Sequence, residues 1–351
     1  MVSRDKVDTV LRRLFAMKAP KVLITLVALV GFLEFEQPAM PPYEVLDFFA
    51  GVARVSKLSR GLGQSTASFD IGFHQDPNVF DINSPAGMVL SVYAMLNSRF
   101  DEALASVGLC CSSYVVTSRG STHRSFITPM GNEKFLKVRL SNQMTSRTIL
   151  LLVLFTACGG VWVLEQPGTS IVTRHRRFRW LVRKFNSLGL RVFVQRFFMK
   201  YWGHATPKPS VVFGNTSAIR MLFHGKMTKT SLSTSVKTTR RYHSKDGKLR
   251  FAGTAQLKGT QVYPWRYAAK LMEIHKAAAM EPGKDCLPPV DSTTELTHLY
   301  SAYPWHDLWQ DAKIAEAISY VRGSKKLRLP PEWRMVLPQS LPEDSESEEG
   351  F

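Results

Sequence analysis

From residue 44 to residue 213 the chain alternates short apolar runs with longer segments of helical spacing, and this alternation limits the fold more than any other feature. Runs over 44–49, 65–69, 103–109, 161–164, 191–197 and 211–213 have strand length, while 55–62, 85–96, 144–157 and 176–188 have helical length. Strands separated by helices do not pair as hairpins. Each helix carries the chain back over the sheet, so successive strands run parallel and both faces become covered. The expected fold class is α/β with a mostly parallel central sheet. Ligands of such sheets sit beyond the carboxyl ends of the strands, so chemistry is expected just after each apolar run.

Three segments follow from the punctuation. Residues 1–40 end at a proline cluster (Pro38, Pro41, Pro42) and read as an N-terminal helical extension, with Val10, Leu11, Leu14 and Phe15 on one helical face and Arg12 and Arg13 opposite. The main domain is expected over 41–272, with a basic, Ser/Thr-rich insert over 215–258 whose one acid is Asp246. Residues 273–351 are expected to be irregular and to end in an acidic, disordered tail over 343–349.

The hydrophobic share of 44% excludes a fully disordered chain. A net charge of +18 over 351 residues favours a polyanionic partner, nucleic acid or an acidic membrane surface. Cys110, Cys111, Cys158 and Cys286 make no disulfide framework, and no CxxC pair or His/Cys zinc spacing is present, so no metal is expected. An intracellular reducing compartment, nucleus or cytoplasm, is the simpler expectation, and the charged N-terminus is a poor secretory signal. The uncharged run 148–164 sits at the lower limit for spanning a bilayer, but Gly159-Gly160 inside it suits a buried helix, a turn and a buried strand. A membrane-associated protein stays as an alternative.

The strand ends carry the candidate chemistry. The first closes in Asp47-Phe48-Phe49-Ala50-Gly51, where a strand-to-helix turn needs a residue without a side chain beside an approaching cofactor. Asp70 ends the second strand, in position to accept hydrogen bonds from a ribose. Asp81 opens Asp81-Ile-Asn-Ser-Pro-Ala-Gly87, which either approaches an adenine edge after a further strand or forms a capping turn through Ser84 and Pro85. Gly108-Leu109-Cys110-Cys111-Ser112-Ser113 places a thiol at a strand end, a nucleophile if its pKa is lowered and otherwise a small core side chain. Glu165 follows an apolar strand directly, which is costly unless the carboxylate is solvated or paired. Later come Tyr201-Trp202-Gly203, Lys208-Pro209 before an apolar strand, and Gly259-Thr-Gln-Val-Tyr-Pro264 before a helix. The run Thr173-Arg-His-Arg-Arg-Phe-Arg-Trp180 fits phosphates and bases, or a solvated helix face.

In this order, over residues 43–271, these strings resemble the S-adenosylmethionine-dependent methyltransferases, particularly the cytosine-5 DNA methyltransferase family. Asp-Phe-Phe-Ala-Gly resembles the cofactor motif, with Ala53 at its second glycine. Cys111 falls on the cysteine that attacks carbon 6 of cytosine, with Cys110 replacing the family's proline and Ser112 its glutamine. Glu165 falls on the glutamate that shares a proton with the base ring nitrogen, and Gln166 replaces the next Asn. Residues 259–264 resemble the last motif, with Thr260 in place of Asn.

The resemblance implies a Rossmann-like methyltransferase domain with S-adenosylmethionine as cofactor. Asp47, Phe49, Gly51, Asp70, Asp81 and Pro264 would hold that cofactor, and Cys111 and Glu165 would be catalytic. Nucleic acid, DNA rather than RNA, would be the partner. Lys208 would hold it together with Arg240, Arg241 and Lys245 of the basic insert, which falls where the family keeps its target-recognition region. The departures from consensus leave open a second reading: a catalytically inactive relative that binds cofactor or nucleic acid and transfers nothing.

Overall fold

Apolar strands separated by helices need cover on both faces, and a computed structural model of residues 2–33, 41–228, 238–254, 256–280, 287–304 and 309–324 shows how they obtain it. The strands β1 (Val45–Phe48), β2 (Thr66–Phe69), β3 (Leu104–Val107), β4 (Val161–Pro167), β5 (Phe193–Phe198) and β6 (Pro209–Gly214) form one sheet in the order β2-β1-β3-β4-β6-β5. The first four are parallel, while β6 runs antiparallel to both β4 and β5. The architecture is therefore α/β with a mostly parallel sheet, compatible with a Rossmann-like fold. The chain crosses from β1 to β2 on one side and then to β3 on the other, so a topological switch point lies between β1 and β3.

The period of two along each strand divides the core. Leu46, Phe48, Ala105, Val107, Trp162 and Leu164 face one hydrophobic cluster. Its helices include α1 (Arg4–Ala16), α2 (Lys21–Gly31), α4 (Pro85–Leu96), α6 (Leu136–Ala157) and α7 (Arg176–Ser187). Val45, Leu104, Val161, Val163 and Val212 face the opposite cluster, under α3 (Arg54–Gly61) and α9 (Trp265–Ala279). Two short helices, α5 (Arg119–Thr122) and α8 (Gln256–Gly259), lie in the connections. A separate hairpin of β7 (Thr239–His243) and β8 (Leu249–Gly253) occupies the basic insert.

Several expectations are corrected. The N-terminal segment is helical, and it packs on the rest of the protein: Val7, Val10, Leu11 and Leu14 of α1 and Leu23, Leu26, Val27 and Val30 of α2 are buried in the same cluster as the sheet. The apolar run over 22–33 is thus a core helix. The helix expected over 144–157 begins at Leu136, because its early turns are polar and gave no apolar period. Residues 161–164 are the first part of a longer strand. Antiparallel pairing with β6 extends it through Glu165, Gln166 and Pro167, opposite Val212, Val211 and Ser210. No strand precedes Asp81; a 3-10 turn, Pro77–Val79, stands there.

The C-terminal region is not wholly irregular either, since α10 (Leu296–Ala302) and α11 (Ile314–Gly323) are helices. Asp311 fastens this region by accepting from Ser146 Oγ and pairing with Arg176 and Arg177, and the Arg177 guanidinium lies 4.0 Å from the Trp309 ring. Buried Arg147 of α6 donates to the carbonyl oxygens of Ile82, Ser84, Ala312 and Lys313, joining α6 to the α4 entry and the α11 entry. The acidic tail lies outside the described residues. Among the described residues no helix is long and apolar enough to cross a membrane.

Candidate functional site

Parallel strands deliver their carboxyl ends to one rim, and the strand-end strings of the sequence meet there. Gly108 N donates to Phe48 O (2.9 Å), Ala50 N to Phe69 O (3.0 Å), and Gln166 Nε2 to Leu109 O (2.6 Å). These bonds tie the loops after β1, β2, β3 and β4 into one edge.

At the switch point the turn after β1 is held by the end of β2. Gly51 N donates to Asp70 Oδ2 (2.9 Å) and Gly72 N to Asp70 Oδ1 (3.1 Å). Gly51 has φ of +57°, and a Cβ built on it would meet nothing within 4 Å, so the turn opens onto free space. Phe49 is also left-handed, at φ +59°, a strained setting for a large side chain. An ionised carboxylate offers about four lone-pair sites, so Asp70 keeps acceptor capacity toward a ligand. Phe49, Gly51 and Asp70 therefore line an open turn at this edge, with acceptor capacity left over.

The other expected cofactor residues are placed differently. Asp47 is buried beneath α3, where its Oδ2 accepts from Ser56 N (3.2 Å) and Ser56 Oγ (2.8 Å). Burial raises its carboxyl to about 6, against the pull of Ser56, Ser106 and Arg60. Asp47 thus fixes the start of α3 from below instead of facing the rim. Asp81 Oδ1 accepts from Asn83 N (2.8 Å), and Ser84 Oγ accepts from Gly87 N (2.8 Å), the capping alternative for that string. Gly87 must be glycine here, since a Cβ would stand 2.1 Å from Asp81 O. Pro264 is the N-cap of α9.

The second half of the rim is a polar cluster. Cys111 is half-buried and Cys110 exposed. Glu165, buried on β4, accepts from Ser210 Oγ at Oε1 (2.6 Å) and from the Tyr263 hydroxyl at Oε2 (3.2 Å). Lys208 Nζ stands 3.7 Å from Glu165 Oε1 and 5.0 Å from the Tyr263 ring. Burial, then the Glu165 carboxylate and Cys110, push the Cys111 thiol up to about 12, against the opposing pull of Lys208. Glu165 is thus paired, which meets the cost of placing a carboxylate after an apolar strand.

Cys111, Glu165 and Lys208 are brought together, with Phe49, Gly51 and Asp70 along the same edge. Arg240 and Arg241 lie exposed on β7 and Lys245 in the turn after it, in a hairpin that pairs only with itself among the described strands. Sequence reasoning missed Tyr263 and Ser210. A Cβ on Gly108 would meet the Tyr263 hydroxyl at 2.9 Å and Phe49 O at 3.2 Å, so this phenol fills the space between the turn after β1 and Glu165. Ser210 follows only from the pairing across the sheet: the antiparallel register of β4 and β6 puts Glu165, Val212 and Ser210 on one face. Among the described residues no cluster of three or more His, Cys, Asp or Glu side chains suited to a metal ion is present.

No protein-family model matches the chain, and no curated protein is significantly similar to it.

Proposed function

We propose that this protein is an S-adenosylmethionine-dependent methyltransferase acting on cytosine in nucleic acid, with Cys111 as nucleophile and Glu165 as the group that holds the base. The observation that carries the reading is the juxtaposition of Cys111, Glu165 and Lys208 on the rim that also holds the open Gly51–Asp70 turn. When bound, the cofactor supplies an electrophilic methyl group. Asp70 and the Gly51 turn orient its nucleoside end. Lys208 and Tyr263 fix the Glu165 carboxyl group, which accepts from the cytosine amino group and shares a proton with the ring nitrogen beside it. Cys111 would lose its proton to water and bond through Sγ to carbon 6 while the ring nitrogen takes up the proton it shares with Glu165; carbon 5, made electron-rich, would take the methyl group, and loss of the carbon 5 proton to water would then break the Sγ–carbon 6 bond and return the thiolate. A base inside a duplex reaches this rim only after leaving the stack.

One observation favours the second reading, binding without transfer. A thiol pushed up to about 12 is almost wholly protonated at neutral pH, and the thiolate is the nucleophile. A single experiment separates the two. Calorimetric titration with S-adenosylmethionine and with its demethylated product measures binding; incubation with methyl-labelled cofactor and DNA or RNA then measures transfer. Cys111→Ser is expected to abolish transfer and leave cofactor affinity unchanged. Unchanged turnover in that variant refutes the covalent route. Binding without transfer in the unaltered protein supports the second reading, and absence of both removes the cofactor from the site.

A further inference from the structure

The long connection from β3 to α6 leaves the rim immediately after Cys111 and carries a feature that the proposed chemistry does not use. Ile127 is 92% exposed and Phe126 61% exposed, at the tip of a turn. That turn is not loose. Ser125 Oγ accepts from Ile127 N (3.2 Å) and Thr128 N (2.9 Å), and Ser125 N donates to Thr128 O (3.2 Å). Below it, buried Arg124 donates through Nε to Ser113 Oγ (2.8 Å) and through Nη1 to Pro129 O (2.6 Å), with its guanidinium 4.1 Å from the Tyr114 ring. Arg124 thus couples the apolar tip to the loop that bears Cys111, and two large apolar side chains are held out into water beside the candidate site.

The surroundings of the tip are basic. The guanidiniums of Arg119 and Arg174 lie 5.1 and 5.7 Å from the centroid of the Phe126 ring. Between residues 112 and 147 the one acid is Glu133, and it accepts from Asn142 Nδ2 (2.7 Å), whereas Lys134, Lys137 and Arg139 are exposed. Arg174 belongs to the basic run 173–180, which the fold divides. His175 and Arg177 turn inward, as a backbone acceptor and as the partner of Asp311, while Arg174 stays on the surface beside Phe126.

We infer that this tip docks an unpaired strand of nucleic acid, with Phe126 and Ile127 against base faces and Arg119 and Arg174 on the flanking phosphates. The positive field selects a polyanion, and the apolar tip selects one whose base faces are free. A duplex hides those faces in its stack and presents phosphates and groove edges. The inference rests on the proposed reading in taking nucleic acid as substrate. It narrows that substrate to single-stranded or locally opened strands of DNA or RNA.

The test is fluorescence anisotropy of the full chain, without cofactor, on short labelled oligonucleotides: single-stranded DNA, single-stranded RNA of the same sequence, and the DNA duplex. A single strand of either chemistry is expected to bind more tightly than the duplex, and the tighter of the two identifies the sugar. The double variant Phe126→Ala/Ile127→Ser is expected to weaken single-strand binding by about 5- to 150-fold and to leave duplex binding unchanged. Arg119→Gln and Arg174→Gln are each expected to lower the salt slope by about 0.7. Thermal unfolding verifies that the variants fold, as all these side chains reach the surface. Equal affinity for strand and duplex overturns the inference. So does undiminished binding by the double variant in a folded protein, which would leave the tip to a protein partner. Because binding is read without cofactor, strand binding with no methyl transfer counts against the proposed activity alone.

Discussion

Asp47 gives the sharpest test of how the rim is supported. Its carboxyl group is buried, and its folded value of about 6 stands above the ordinary 3.8. A carboxyl raised in this way binds its proton more tightly in the folded state. Its favourable contribution is therefore complete below the unfolded value and is lost as pH rises through the folded one. The difference corresponds to about 3 kcal/mol between pH 4 and 6. Asp47→Asn removes the charge and keeps an oxygen that can accept from Ser56 N and Oγ; its new amide hydrogens meet Ser106 in place of the bond that Ser106 makes now. Some of the gain is returned because the amide accepts less strongly and because Arg60 loses a partner charge. The variant is expected to be more stable than the unaltered protein by about 1–3 kcal/mol at pH 8, with no gain at pH 3. Urea denaturation at intervals from pH 3 to pH 8, compared between the two proteins, cancels the other carboxylates. If the two stability curves run parallel across pH 4 to 6, or if the variant is the weaker at pH 8, burial is not what governs this group.

Two further outcomes are expected. Arg147→Met removes donors from the carbonyls of Ile82, Ser84, Ala312 and Lys313 and should cost about 3–5 kcal/mol by urea midpoint, and a loss within the error of the measurement would refute the bridging role. Iodoacetamide at pH 8, read by peptide mass spectrometry, should label exposed Cys110 well ahead of Cys111, and Glu165→Gln should speed labelling at Cys111; an unchanged rate would separate the carboxylate from the thiol.

The alternation of strands and helices was legible because each run carries its own period, and the parallel rim followed from it. Three things were not, and each has a local cause. The early turns of α6 are polar, so its start had no apolar period to mark it. Where α1 and α2 dock was open because nothing local reports which distant surface an apolar face covers; α2 packs against α4 and α11. The reversal of β6 depends on pairing across the sheet, and with it came Ser210 opposite Pro167 and the extension of β4 through Glu165. Of the candidate residues, Cys111, Glu165, Gly51 and Asp70 were legible as strand-end residues. The burial of Asp47 under α3 was not legible, because adjacent residues of a strand point to opposite faces and a motif string does not say which faces the rim.

The same geometry connects the two readings of the thiol. Glu165 is the largest charge holding Cys111 protonated, after burial itself. Under the proposed activity the carboxylate takes up a proton from solvent as the base arrives and shares it with the cytosine ring nitrogen, which removes its negative charge. Lys208, which already pulls the thiol down, then acts with less opposition. Thiolate formation thereby becomes linked to occupancy of the site, since whatever binding does to the carboxylate it must also do to its neighbour. Under that activity the raised thiol would be the resting condition of a nucleophile whose activator is its own substrate. An inactive relative with the same side chains would show the raised thiol with cytosine present as well as absent.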